Sequence, residues 1–105
     1  MKYLGSPYTH PDPFIMEERY LRAMRVLAGL LREKIWAYSP IVHCHELAKI
    51  GALPKDAAFW REYDFYMLSK CDELLVLRIE GWEQSQGLQA EIAEAFRLII
   101  PVSYI

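Results

Sequence analysis

The chain has 105 residues, 53% of them hydrophobic and 25% charged, with a formal net charge of −2 at pH 7; this suits one domain of ordinary globular composition and is too short for two. That charge and a sequence pI near 5.9 leave no basic stripe for a nucleic-acid backbone, so a DNA or RNA polymer is not an expected partner. No run approaches the roughly 18 apolar residues of a membrane span and Met1–Ser6 is too short for a signal peptide, so a soluble, cytoplasmic chain with no membrane partner is expected.

Tyr3-Leu4-Gly5-Ser6 reads as a first strand that stops at a Gly-Ser-Pro loop. The loop ends where Asp12 can cap a helix whose first position is Pro13. That helix is expected to run to about Lys34, with Tyr20, Met24, Leu27 and Leu31 on its buried stripe. Ile35-Trp36-Ala37-Tyr38, closed by Ser39-Pro40, reads as a second strand, and Ile41–Pro54 as a loop or short helix. A second long helix is expected from Asp56 to near Cys71, and a third strand over Glu73–Leu77. After a turn at Glu80-Gly81-Trp82, a helix over Gln86–Arg97 leads into a last strand over Leu98–Tyr104. Cys44 and Cys71 form no CxxC pair and are expected as free thiols.

Strands alternating with helices predict an α/β fold, an open parallel sheet of four to five strands flanked by helices, of the Rossmann-like or flavodoxin-like kind. Such sheets bind ligands beyond the carboxyl ends of their strands. The candidate site is therefore lined by the loops Gly5–His10, Ser39–Glu46 and Arg78–Gly87. Asp72 and Glu73, at the other end of the third strand, are expected to be structural.

Two acidic residues interrupt apolar helix faces. Asp64 falls in the stripe Trp60, Tyr63, Met67, Leu68 and Cys71, where an ionised carboxylate is costly unless paired, while Glu62 points the other way. The alternative to a site role is a carboxylate satisfied by backbone N–H groups or a neighbouring hydroxyl. Glu91 lies on the edge of the stripe Leu88, Ile92, Ala95 and Ile99, with Glu94 and Arg97 further out; a boundary glutamate on an amphipathic helix is the plainer reading. Ser85 and Gly87 sit at that helix start, where free N–H groups can hold an anion. Glu91 is expected to stay ionised near this positive end, and Asp64 to hold its proton to higher pH.

His43-Cys44-His45-Glu46 lacks the paired spacing of a zinc site, so no metal is expected, and His43 and His45 read as pocket lining. Trp82 can cover a base by stacking or simply pack. There is no GxxxxGK[ST], GxGxxG or GxSxG motif. A carboxylate pair suits glycosidic chemistry, in which one group attacks or stabilises the anomeric carbon and the other protonates the leaving group.

These stretches resemble the nucleoside 2-deoxyribosyltransferase superfamily, which includes the deoxynucleoside 5'-monophosphate N-glycosidases. The likeness covers Tyr3 to about Val102. It rests on Tyr3-Leu4-Gly5-Ser6, on Glu62-Tyr63-Asp64 with Met67-Leu68 and Cys71-Asp72, and most specifically on Ser85-Gln86-Gly87-Leu88-Gln89-Ala90-Glu91. A Ser-Pro-Tyr loop and a Ser-Pro-Ile-Val-His segment make it similar to an uncharacterised branch. The resemblance implies Glu91 as nucleophile, Asp64 as the acid assisting base departure and Tyr3 as a hydroxyl near Glu91. It also implies Ser85 and Gly87 as contacts to a sugar hydroxyl or phosphate. Gly5, Ser6, Tyr8, His43, His45 and Trp82 complete the expected substrate-binding set. Two departures stand out: Pro7-Tyr8-Thr9-His10 replaces a glycine- and arginine-containing first loop, and Ala93 replaces a glycine two positions after the glutamate.

The resulting expectation is a homo-oligomeric enzyme that cleaves or transfers at the N-glycosidic bond of a deoxynucleoside or deoxynucleotide and uses no cofactor. The alternatives are a non-catalytic nucleotide-binding module of the same fold and an interaction domain built on Trp60 and Trp82.

Overall fold

The computed structural model describes residues 1–54 and 57–105. Four parallel strands, β1 (Lys2–Gly5), β2 (Ala37–Tyr38), β3 (Glu73–Val76) and β4 (Val102–Tyr104), form one sheet in the order β2-β1-β3-β4. Four helices, α1 (Pro13–Arg32), α2 (Pro40–Ile50), α3 (Ala57–Ser69) and α4 (Gln86–Arg97), connect them. This is the expected open α/β fold of flavodoxin-like strand order, whose topological switch lies between β1 and β3. Among the described residues no helix is long and apolar enough to cross a membrane.

Alternation along the strands sorts the core. Tyr3, Leu74 and Val76 point to one face and pack with Leu68 of α3 and Leu88, Ile92 and Ala95 of α4. Leu4, Leu75 and Leu77 point to the other, with Ile79 and with Val26, Leu27 and Leu30 of α1. The buried leucines, isoleucines and Val76 among them contribute roughly 1.5–3 kcal/mol each, and together these side chains fix the carboxyl edges of β1 and β3 side by side. At the opposite edge, Asp72 pairs with the N-terminal amine at 3.3 Å, and Glu73 pairs with Lys2 and accepts from Ser103 Oγ at 2.5 Å. Both acids are structural, as expected from their place before β3.

Several expectations change. Asp12 caps α1, accepting from Phe14 N at 2.9 Å with Pro13 in the first turn, as read from the sequence. Its buried stripe is Tyr20 and Ala23, continued by the partly buried Val26, Leu27 and Leu30, while Leu31 is exposed. The segment after β2 is a full helix: Ser39 Oγ accepts from Val42 N at 3.2 Å, and Pro40 needs no donor. Ile35 and Trp36 lie outside β2. Leu98–Ile100 terminates α4 rather than opening β4, and Ile99 is 90% exposed at φ 58°. The expected start of α3 at Asp56 lies outside the described residues.

Candidate active site

A cleft of about 450 Å3 opens at the carboxyl ends of β1 and β3. Ser6 and Tyr8 of the β1–α1 loop, Cys44 and His45 of α2, Trp60, Arg61 and Asp64 of α3, and Ser85, Gly87 and Glu91 at the start of α4 all line it. Its position is the one a parallel sheet with this switch point dictates.

Glu91 lies at the cleft's buried side, with only 7% of its surface exposed. The Tyr3 hydroxyl, on the strand face that meets α4, donates to Glu91 Oε2. Gly5 permits this approach, because a Cβ there would stand 3.0 Å from Leu88 Cδ1, 3.1 Å from Leu74 Cδ1 and 3.5 Å from Glu91 Oε1. Gly5 thus serves helix–strand packing beneath the site rather than ligand contact. Burial pushes the Glu91 carboxyl up to about 8, assisted by the Asp64 charge and opposed by the Tyr3 hydrogen bond. The expectation of an ionised Glu91 is corrected here. It is the sixth residue of α4, beyond the first turn whose free N–H groups carry the positive dipole end, so desolvation outweighs the dipole.

Asp64 has a buried Oδ1 with no hydrogen-bond partner, and burial raises its carboxyl from 3.8 to about 7. Among the described residues, no backbone N–H or hydroxyl satisfies it, so the alternative of a carboxylate satisfied by its neighbours does not hold. Ser6 Oγ is likewise buried and unpartnered. Two orphaned polar atoms on residues lining one cleft are a cost that a polar ligand or ordered water would offset.

At the start of α4, Ser85 Oγ accepts from Leu88 N at 3.2 Å, which leaves its hydroxyl proton to donate. A Cβ at Gly87 would meet nothing within 4 Å, so the space over this helix start is open. Arg61 is the one arginine or lysine among the described residues lining the cleft; it lies three positions before Asp64, so helical spacing alone could have identified it.

The mouth is braced by Arg19. Its Nη1 donates to the carbonyls of Tyr8 at 3.4 Å and Thr9 at 3.1 Å, and its Nη2 to the carbonyl of Glu80 at 3.4 Å. One side chain of α1 thereby joins the loops that follow β1 and β3. Gly81, at φ +90°, lies directly against the guanidinium, so a side chain there would require Arg19 to shift.

Besides Gly5, two expected lining residues lie elsewhere. Helical spacing puts His43 and His45 on different faces of α2: His45 is buried, whereas His43 is exposed, 3.2 Å from the Tyr63 hydroxyl and outside the cleft lining. Trp82 packs against the core under α4 and edge-on to Tyr104, with ring centroids 5.8 Å apart, and does not line the cleft. Glu17, His45 and Glu46 have potential ligand atoms within 4.8 Å of one another. Lys49 Nζ already stands 3.7 Å from Glu17 and 3.5 Å from Glu46, which supplies the local positive charge.

No match to the chain was found among curated proteins. The chain matches, over residues 1–105, the model of a domain of unknown function (DUF1937), and it belongs to that family.

Proposed function

We propose that the chain cleaves the N-glycosidic bond of a deoxynucleoside or deoxynucleotide, with Glu91 as nucleophile and Asp64 as acid. The observation that carries this reading is the pair of desolvated carboxyls facing one cleft, one held by Tyr3 and the other without a partner. The resemblance of Ser85–Glu91 to the N-glycosidase motif of the nucleoside 2-deoxyribosyltransferase superfamily supplies the reaction.

In the first step a Glu91 carboxylate oxygen bonds to C1', the C1'–N bond breaks, and its electron pair leaves with the base. Asp64 gives the base a proton. In the second step water attacks C1', Asp64 takes a proton from that water, and Glu91 leaves as carboxylate; a second base in place of water makes the reaction a transfer. The reactive state carries one proton on the pair, with Glu91 ionised. Burial of Glu91 works against that distribution and the Tyr3 hydrogen bond works for it by stabilising the anion, so the reactive arrangement is the less populated of the two one-proton forms. Ser85 and the N–H groups beginning α4 suit a sugar hydroxyl or phosphate.

The rise of Glu91 to about 8 favours a second reading, a binding module in which a neutral Glu91 donates to a ligand without attacking it. Free-base release from a panel of deoxynucleosides and their 5'-monophosphates separates the two. Release that Glu91→Gln abolishes while ligand still binds supports the enzyme; binding without release by the unaltered chain supports the module.

A further inference from the structure

A buried hydrogen-bonded chain outside the carboxyl pair ends in the same cleft. His45, with 5% of its surface exposed, bridges two groups: Nδ1 lies 2.5 Å from the Tyr8 hydroxyl and Nε2 lies 2.7 Å from Glu17 Oε2. The imidazole stacks on Tyr20, with ring centroids 4.0 Å apart, and Tyr8 meets it edge-on at 5.5 Å. Arg19 holds the Tyr8 main chain. The phenol is therefore fixed at both ends, its backbone from α1 and its hydroxyl from α2. Burying an imidazole in this way costs free energy that an apolar residue would not, and the arrangement orients a group that lines the cleft.

For a neutral imidazole the direction of these hydrogen bonds follows from valence. An ionised Glu17 carboxylate only accepts, so a neutral His45 must carry its proton on Nε2 and present a bare Nδ1. Tyr8 then spends its single proton on Nδ1. Towards the cleft the Tyr8 oxygen offers lone pairs alone. Burial raises the Tyr8 phenol beyond its usual value, as do the charges of Glu17 and Glu46, so it remains a phenol.

From this geometry we infer that Tyr8 is a specificity-determining residue that accepts a hydrogen bond from an exocyclic amine of the ligand's base, with His45 and Glu17 as positioning residues that fix it as an acceptor. The inference rests on the nucleoside reading above. Tyr8, Pro40, Ile41 and Ala48 give the α2 side of the cleft, beside Cys44 and His45, apolar surface suited to a base, whereas Gln84, Ser85 and Gln86 give the α4 side polar groups suited to a sugar. A sugar hydroxyl can rotate to donate or accept, so a fixed acceptor does not discriminate among hydroxyls. An amine can only donate, and an acceptor-only phenol discriminates bases that carry one from bases that do not.

The test has two arms. Nitrogen-15 NMR of the His45 ring near pH 7.5 reads the chain directly, without any activity: the expected result is a protonated Nε2 and an unprotonated Nδ1. The opposite tautomer, or a doubly protonated ring, overturns the inference. The second arm measures binding of two pairs that differ only by the amine, 2'-deoxyadenosine against purine 2'-deoxyriboside and 2'-deoxycytidine against 2-pyrimidinone 2'-deoxyriboside, each as nucleoside and as 5'-monophosphate. The unaltered chain should favour an amine-bearing member by about tenfold, and Tyr8→Phe should remove the preference while leaving the fold intact. Binding with no preference, or a preference that Tyr8→Phe keeps, overturns the inference and leaves the nucleoside reading standing. If no member of either pair binds, both fall together.

Discussion

The Tyr3 hydroxyl donates to Glu91 Oε2 across 88 residues of sequence, joining the first strand to the last helix at the buried side of the cleft. It is a bond between a fully buried phenol and a carboxyl whose burial holds it protonated up to about pH 8. The site is thus maintained against the preference of its own acid for water.

This has a consequence for stability. Between the ordinary Glu value of 4.5 and about 8, the folded chain retains a proton that the unfolded chain has lost. Folding therefore takes up a proton in that window, and stability falls as pH rises through it. The Glu91 contribution is on the order of a few kcal/mol. Glu91→Gln, which cannot ionise, should flatten the dependence and exceed the unaltered chain in stability at pH 9, although not at pH 5. Urea denaturation at several pH values measures this, and equal slopes for the two proteins would refute the assignment.

The end of α4 offers a separate gain. Ile99 adopts φ 58°, and Ile100 N donates to Ala95 O at 2.8 Å in a Schellman-type ending. That position favours glycine, a β-branched residue is strained there, and the Ile99 side chain is 90% exposed, so its removal loses little packing. Ile99→Gly should stabilise the chain by about 1 kcal/mol. Lys34 and Ala52 end α1 and α2 at similar positive φ and should gain less, since neither is β-branched. A lower denaturation midpoint for Ile99→Gly would contradict this account.

The alternation of strand and helix patterns was enough to specify the sheet, because β-runs such as Glu73–Leu77 and capped helices such as α1 carry local signals. The same signal was legible yet read differently at α2: Ser39-Pro40 repeats the cap-plus-proline pattern of Asp12-Pro13, but its position after a strand suggested a closing turn. The loop alternative for Ile41–Pro54 keeps His43 beside His45, whereas the short-helix alternative, the one the structure bears out, separates them. Ile99 continued the α4 stripe at the correct spacing, and only the chain reversal into β4 turned it outward. Asp64 and Glu91 stood out because each broke an apolar face. What spacing did not disclose is how far each is desolvated, since that depends on α3, α4 and β1 closing around them. The Glu17–His45–Tyr8 chain was invisible for a similar reason: it arises where α1 and α2 meet, a contact between segments with no shared periodicity.

Gly81 should tolerate substitution poorly, for two separable reasons. Its φ of +90° strains any side chain, and Arg19 occupies the space a Cβ would need. Gly81→Ala should destabilise by about 1–3 kcal/mol. Combining it with Arg19→Ala removes the collision but not the strain, so the double variant should cost less than the sum of the two single changes. Strict additivity in a double-mutant cycle would show that Arg19 and Gly81 do not constrain each other.

On the proposed reaction, base release should follow a bell-shaped pH profile. Asp64 and Glu91 titrate as a coupled pair, with raised values of about 7 and about 8, and the reactive form holds one proton between them. Below this range both carboxyls are protonated and no nucleophile is present; above it neither can protonate the base. The optimum should therefore lie between pH 7 and 8. Tyr3→Phe removes the hydrogen bond that lowers Glu91, the higher of the two values, so the alkaline limb should move to higher pH. Asp64→Asn removes the neighbouring charge that raises Glu91 and also the proton donor. The alkaline limb should then vanish, a single acidic limb set by Glu91 alone should remain, and the loss in kcat should be greatest for bases that leave poorly. General acid assistance is worth roughly 10²–10⁴-fold, which sets the scale of that loss. A profile for Asp64→Asn that keeps its alkaline limb would assign the acid to another group, and an alkaline limb unmoved by Tyr3→Phe would remove Glu91 from the pair.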